Sequence, residues 1–194
     1  MVAAVRGAGG LPGAIDDLVN VRYGFGIRGR HKLIWQFLVA VVAAIYIQRH
    51  FAVTGIFVPL VGEWEIGAVA VVVLAVFVIM ATSNGVNLTD GMDGLAGGTC
   101  VFAFLSVAFI AAARGYPWLV VFCAAMVGAL LAFLWFNVHP EAFFMGDTGS
   151  LAVGATLAAV ALPTGFVLLL PCFGLFCVAA PHEVILLFAS YQPR

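Results

Sequence analysis

The segment "VNLTDGMDGLAGG", residues 86–98, places carboxylates and glycines between two apolar runs. It continues a polar series at intervals of three residues, formed by Asn84, Asn87, Asp90 and Asp93. On a helix this spacing stacks the side chains on one stripe. Asparagine supplies amide donors and acceptors, and aspartate supplies the hard oxygen ligands that suit Mg²⁺. The stripe therefore predicts a polar binding surface, and the alternative is a glycine-rich turn between apolar helices.

A second polar segment holds the adjacent pair Asp16 and Asp17, followed by the basic residues Arg28, Arg30 and Lys32. Neighbouring carboxylates repel each other, so a pair at the end of a membrane span is costly unless a cation or a metal-bound phosphate holds it. The basic cluster suits phosphate oxygens or anionic lipid headgroups. Its alternative role is a plain positive anchor on the inner side of a membrane.

A third polar segment, "FNVHPEAFFMGDTGS" at residues 136–150, contains Asp147 between glycines, just before an apolar run. Asp147 could bind a metal beside backbone amides that hold a phosphate. Alternatively, this carboxylate or a neighbouring hydroxyl could cap the next helix. His139 and Glu141 lie nearby, and a lone histidine is more often structural than catalytic.

These three segments share oxygen ligands and contain no set of Cys or His ligands. Oxygen ligands favour Mg²⁺ or Mn²⁺ over zinc. A magnesium site with few protein carboxylates usually includes phosphates of a substrate. The residues therefore predict phosphoryl chemistry with Mg²⁺ as cofactor.

The composition shows which elements must position these groups. The chain has 194 residues, of which 64% are hydrophobic and 9% charged, whereas soluble domains are about a quarter charged. We expect an all-α polytopic transmembrane bundle of about five to seven spans. A net charge of −1 gives no sign of a nucleic-acid partner. The four cysteines lie in apolar runs without a CxxC pair, which predicts buried free thiols.

Hydropathy predicts spans over residues 33–48, 66–82, 95–113 and 118–136. The apolar region 151–180 is expected to form two further short spans, because "LPTG" at 162–165 interrupts it.

Charge predicts the orientation of these spans. Five of the eight Lys and Arg residues lie within residues 1–32, which makes that segment cytoplasmic. Alternating spans then place every aspartate on the cytoplasmic face, in three separate segments. Glu63 and Glu65 fall in an external loop.

The three polar segments together resemble the polyprenyl-phosphate N-acetylhexosamine-1-phosphate transferase superfamily, the glycosyltransferase 4 family. "DD" at 16–17, "SNGVNLTDGMDGLAGG" at 83–98 and "FFMGDTGSLAVG" at 143–154 are similar to its signature loops. "NLTDG" and "GIRGRHK" favour its phospho-N-acetylmuramoyl-pentapeptide transferase branch. The resemblance covers roughly residues 13–170 and implies that the chain is one transmembrane transferase domain.

The resemblance implies a reaction in the bacterial plasma membrane, with the active face towards the cytoplasm. Undecaprenyl phosphate attacks UDP-N-acetylmuramoyl-pentapeptide, UMP leaves, and lipid I forms for peptidoglycan synthesis, with Mg²⁺ required. The partners are therefore these two substrates and the lipid bilayer, and a homodimer is one candidate assembly.

The resemblance also implies roles for particular residues. Asp147 would bind Mg²⁺, Asp16 would be the general base or, in a two-step version, the nucleophile, and Asp17 would support it. Lys32 would meet phosphate. The nucleotide and phosphate pocket would be lined by Asn84, Asn87, Asp90, Asp93, Asn137 and Phe144. In this pocket Asn137 and Phe144 would contact the uridine, with the Phe144 ring stacked on uracil.

The chain departs from the family pattern in length and at its end. Family members run to nearly twice this length, with ten spans and a cytoplasmic histidine-rich loop, whereas residues 181–194 offer only His182. Asn20 stands where a lysine is common after the DD pair. We therefore expect a fragment that lacks the first spans and the histidine-rich loop, and that forms little lipid I alone.

Two other functions are consistent with parts of the pattern. A related transferase that moves N-acetylglucosamine-1-phosphate from UDP to undecaprenyl phosphate would share the aspartates and the Mg²⁺. A transporter or channel would instead place carboxylates at the middle of broken spans. The predicted position of the aspartates at span ends argues against a transporter.

Overall fold

The computed structural model describes residues 29–58, 61–91, 94–138, 143–168 and 170. The described elements, in chain order, are α1 (Gly29–Phe51), β1 (Gly55–Val58), β2 (Gly62–Glu65), α2 (Ala68–Thr89), α3 (Leu95–Ala113), α4 (Pro117–Asn137), α5 (Gly146–Ala161) and a 3₁₀ turn (Leu162–Thr164). The calls on Asp16, Asp17, Asp93, His139, Glu141 and His182 lie outside the described residues.

Within the described part of the chain, α1 to α4 are long and apolar enough to cross a membrane. Their apolar stretches contain 19 to 22 residues with mean hydropathies of 1.4 to 2.6, and about 20 apolar residues cross a bilayer. Large apolar side chains face outwards, among them Phe77, Phe109 and Val121, which are each 68–77% exposed. An apolar exterior is what hydrocarbon solvates, so the expected polytopic helical bundle is confirmed.

Helix α5 lies at the centre of this bundle. Every residue from Ser150 to Ala161 is buried. Small residues let α5 approach α2 closely: a Cβ atom added at Gly154 would lie 2.6 Å from the Ser83 Cα atom. The Ser83 hydroxyl also donates to the Leu151 carbonyl oxygen at 2.9 Å. These contacts fix the first turns of α5 against the last turns of α2.

The predicted spans agree with the helices to different degrees. Helix α3 has the predicted bounds, and α4 is one residue longer at each end. The span predicted over residues 66–82 ends too early, because α2 continues to Thr89. Helix α5 begins at Gly146, five residues before the predicted span, and the expected break at 162–165 is confirmed by the 3₁₀ turn and a left-handed Gly165 (φ 76°).

The sequence did not indicate a β-hairpin, which β1 and β2 form between α1 and α2. The strands are antiparallel, with Ile56 opposite Trp64. The Phe57 amide donates to the Gly165 carbonyl oxygen at 2.9 Å, and the Phe57 ring stacks on Phe166 with 4.4 Å between centroids. The hairpin therefore packs on the turn that follows α5, at one end of the bundle.

Short connections make consecutive helices antiparallel, which gives the bundle two distinct ends. The hairpin end carries β1, β2 and the Arg114–Tyr116 turn between α3 and α4. The site end carries the start of α1, the α2–α3 connection, the end of α4 and the start of α5. The predicted site residues that the structure describes lie on the segments of the site end.

Candidate active site

Asp147 lies in the first turn of α5, where the partial positive charge of the helix N-terminus favours a carboxylate. The capping alternative is wrong for this residue, because Met145 is the N-cap and makes no side-chain cap. The Asp147 side chain is 26% exposed, and its Oδ2 atom pairs with the ammonium of Lys32, whose side chain is 19% exposed. The pair joins α1 to α5 across 115 residues of sequence.

Asn87 contacts this carboxylate from α2. Its Nδ2 atom donates to Asp147 Oδ1 at 2.5 Å and to Ser150 Oγ at 2.9 Å. The Ser150 hydroxyl in turn donates to the Gly146 carbonyl oxygen at 2.7 Å, so its lone pairs remain for Asn87. Lys32, Asn87, Asp147 and Ser150 are called the Asp147 cluster below.

The Asp147 cluster combines a carboxylate, an ammonium, an amide and a hydroxyl in a half-buried position. Electrostatic interactions are stronger there than in bulk water, because fewer water dipoles screen them. A lysine beside a helix N-terminus is suited to bind an anionic group such as a phosphate. The carboxylate is a hard oxygen donor of the kind that binds Mg²⁺.

Asn84 does not belong to the Asp147 cluster, although it lies one turn from Asn87 on the predicted stripe. Its Nδ2 atom donates to Gln36 Oε1 at 3.1 Å and to the Met80 carbonyl oxygen at 2.8 Å. Gln36 is 6% exposed and lies four residues after Lys32 on α1. A second polar layer, Gln36 with Asn84, therefore lies one helical turn further into the bundle.

The stripe itself is helical only in part. Asn84 and Asn87 lie on α2, whereas Asp90 is the residue that ends the helix, with its amide bonded to the Val86 carbonyl oxygen at 3.1 Å. Asp90 is half-buried at the site end. Its contact with a nucleotide stays a prediction.

Asn137, the last residue of α4, is 2% exposed and connects two segments of the site end. Its Oδ1 atom accepts from the Gly94 amide at 3.0 Å, and its Nδ2 atom donates to the Phe143 carbonyl oxygen at 3.1 Å. Gly94 has a left-handed conformation (φ 72°) and precedes α3. Phe144 follows and is 55% exposed. The uridine contacts expected of Asn137 and Phe144 stay predictions.

Sequence reasoning did not nominate Ser150 or Gln36. Ser150 could have been found from its place three residues after Asp147, which is one helical turn. Gln36 could have been found as a polar residue inside a predicted span, four residues after Lys32. Both signals are weak alone, because serines and glutamines also occur in helices without a ligand.

Two further expectations concern cysteines and metal ligands. Cys100 and Cys123 are buried and not in a disulfide, as predicted, and the other two cysteines are outside the described residues. Within the described residues, no group of three or more His, Cys, Asp and Glu side chains could hold a metal. A metal at Asp147 would thus need ligands from amides, hydroxyls, water or a substrate.

Comparison with known proteins adds independent information. A family model described as glycosyl transferase family 4 matches residues 2–165 of the chain. A phospho-N-acetylmuramoyl-pentapeptide-transferase of Geobacillus kaustophilus is 42% identical over 187 residues, which cover 94% of this chain and 57% of that protein. Proteins of the same name from Caldanaerobacter subterraneus and Rubrobacter xylanophilus are also 42% identical, over 94% and 95% of this chain and 58% of each relative. The chain therefore spans somewhat under three-fifths of the length of these curated relatives.

Proposed function

Because the chain belongs to glycosyl transferase family 4, we propose that it supplies the catalytic core for making lipid I. The reaction transfers phospho-N-acetylmuramoyl-pentapeptide from UDP to undecaprenyl phosphate and releases UMP. The observation that carries this proposal is the Asp147 cluster, in which motif residues of three helices converge at one end of a membrane bundle. The names of relatives at 42% identity support the choice of the sugar–peptide donor.

The proposed location of this site is the cytoplasmic face of a bacterial plasma membrane. Arg30 and Lys32 begin α1 at the site end and belong to the segment with most of the positive charge. Positive charge near a span favours the cytoplasmic side. A soluble nucleotide and a lipid-borne phosphate can meet at that membrane surface.

Mg²⁺ is proposed as the cofactor, and the donor set at the site end is compatible with it. Asp147 would hold the ion, with water and substrate phosphates as further oxygen ligands. Mg²⁺ commonly binds through one or two carboxylates together with substrate phosphates. When bound, it would neutralise the negative charge that develops as the diphosphate bond breaks.

The side chains of this site would divide the remaining work. Lys32 would bind a phosphate oxygen, and the amides at the start of α5 would add favourable partial charge. Asp16 is proposed as general base or nucleophile, with Asp17 supporting it. The nucleotide would be bound by Asp90, Asp93, Asn137 and the exposed ring of Phe144.

The experiment that tests this proposal is a chimera, because the chain is shorter than its relatives. The chimera replaces the aligned segment of the Geobacillus kaustophilus protein with this chain. Purified chimera is incubated with labelled UDP-N-acetylmuramoyl-pentapeptide, undecaprenyl phosphate and Mg²⁺, and lipid-extractable label is counted. We expect product from the chimera and little from the chain alone.

The matched control is the same chimera with Asp147→Asn, which removes one negative charge with little change of shape. Its product should fall by at least about a hundredfold, the scale of losing an important electrostatic contact in a transition state. A parallel incubation uses labelled UDP-N-acetylglucosamine as the donor. Label transferred from that donor alone would indicate the related transferase instead. A folded chimera that transfers neither donor would refute the proposal.

A further inference from the structure

Gln36 carries a hydrogen-bond donor that the bundle leaves unused. Gln36 is 6% exposed, and its Nε2 atom is buried without a hydrogen-bond partner among the residues described. A buried amide donor without an acceptor costs about 1–3 kcal/mol. In a membrane bundle, water is scarce and such a cost is seldom relieved.

The orientation of this amide follows from its neighbours. The Met80 carbonyl oxygen can only accept, so the Asn84 Nδ2 atom must face it. The same Nδ2 atom donates to Gln36, so the oxygen of Gln36 must face Asn84. Rotating the Gln36 amide by half a turn would place its Nε2 donor against the Asn84 Nδ2 donor. The Nε2 atom therefore points away from Asn84 and has no acceptor among the described residues.

The position of Gln36 relates this donor to the Asp147 cluster. Gln36 follows Lys32 by four residues, so it lies on the same face of α1 and about 6 Å further into the membrane. Side chains on a helix lean towards its N-terminus. The Gln36 side chain thus leans from the interior of the bundle towards Lys32.

From these observations we propose that Gln36 is a binding residue for the lipid-phosphate substrate, with its Nε2 atom donating to a phosphate oxygen. This inference rests on the proposed function. Gln36 lies deeper than Lys32, on the side from which the membrane-borne substrate comes and not on the side of the soluble nucleotide. A neutral donor one helical turn below Lys32 adds a directed hydrogen bond to an anion without adding charge.

The test measures binding, so it does not depend on turnover. The purified chain in lipid nanodiscs is titrated with farnesyl phosphate, farnesol, inorganic phosphate and UMP, and each Kd is measured by microscale thermophoresis. The variants are Gln36→Leu, which removes the donor, and Gln36→Glu, which replaces it with a carboxylate oxygen. The matched control is Gln48→Leu, a half-buried glutamine near the other end of the same helix.

We expect Gln36→Leu to weaken farnesyl phosphate binding about tenfold or more, the usual effect of losing a hydrogen bond to a charged group. Gln36→Glu should weaken it further, because a carboxylate repels phosphate. For Gln36→Leu, UMP affinity and the unfolding temperature should stay near the wild-type values, and Gln48→Leu should change the affinity for neither ligand. Farnesol and inorganic phosphate show whether binding needs the isoprenoid chain and the phosphate in one molecule.

Three results would overturn the inference: unchanged farnesyl phosphate affinity in both Gln36 variants, equal weakening of UMP and farnesyl phosphate, or no farnesyl phosphate binding by the wild-type chain. The outcome is separable from that of the proposed reaction. Binding that depends on Gln36 can persist when the chimera makes no lipid I, and a chimera that makes lipid I can have a Gln36 without effect.

Discussion

The ion pair between Lys32 and Asp147 allows a quantitative prediction about the free energy of unfolding. Replacing Lys32 with methionine keeps an unbranched side chain as far as the Cε position and removes the ammonium from Asp147 Oδ2. Removing one partner of a fully buried pair costs about 3–5 kcal/mol, and an exposed pair contributes about 0–1 kcal/mol. With side chains 19% and 26% exposed, this pair lies between those limits.

The remaining contacts of Asp147 lower the expected cost. The carboxylate keeps the amide of Asn87 and the favourable partial charge at the start of α5, which contributes about 0.3–1 kcal/mol. We therefore expect Lys32→Met to lower the free energy of unfolding by about 2 kcal/mol. Asp147→Asn should cost less, because the flexible lysine can turn its ammonium towards water.

The assay is a double-mutant cycle measured by SDS titration in mixed micelles, with tryptophan fluorescence as the signal. The variants are Lys32→Met, Asp147→Asn and the double variant, and the coupling energy should be about 1–2 kcal/mol. The control is Glu63→Gln, which breaks the ion pair of Glu63 and Arg114 at the hairpin end. The side chains of that pair are 69% and 34% exposed, so its loss should cost well under 1 kcal/mol. Additive effects of the two substitutions at the Asp147 cluster would refute the reasoning.

Two further substitutions test the contacts of α2. Asn87→Asp should destabilise the bundle by more than Asn87→Leu, since it places a second carboxylate against Asp147 Oδ1, and Mg²⁺ titration during the same SDS unfolding assay should reduce the difference. A reversed order of the two variants would contradict this assignment. Gly154→Ala should cost about 1–3 kcal/mol because its methyl group would lie 2.6 Å from the Ser83 Cα atom. Gly128→Ala should be neutral or slightly stabilising, because its methyl group would meet nothing within 4 Å beyond the nearby backbone of its own helix. Equal thermal stability of these two alanine variants would show that α2 and α5 are not closely packed.

How far the sequence predicts this structure depends on whether an element follows hydropathy alone. Helices α3 and α4 carry no charged residue, and Gly94 and Pro117 mark their starts, so their bounds were accurate. Helix α2 was predicted too short, because Asn84 and Asn87 resemble loop residues until their hydrogen bonds to α1 and α5 are known. The hairpin was missed because each strand has four residues, too few for a reliable period-two pattern.

The candidate site was nominated residue by residue but not as an arrangement. Residue types pointed to Asp147 and to the stripe, and Lys32 stood out as part of a basic cluster. Nothing in the spacing could show that Lys32 and Asp147 form a pair across 115 residues, since that contact depends on how α1 and α5 pack. Side-chain partners between distant helices are a property of tertiary packing, which hydropathy does not encode.

The depth of each polar group in the bundle explains why some of them were found and others were not. Groups at helix ends, such as Asp147 and Asp90, interrupt apolar runs and are visible in the sequence. Gln36 lies inside a span, where a single polar residue changes the mean hydropathy little, yet its buried amide must be satisfied. An unpaired donor one turn beneath an ion pair is stable only if the rest of the bundle offsets its cost. A ligand oxygen that accepts a hydrogen bond from this amide removes the cost and would bind more tightly for that reason. Substitution of Gln36 should therefore weaken binding of the lipid phosphate and leave binding of the nucleotide unchanged.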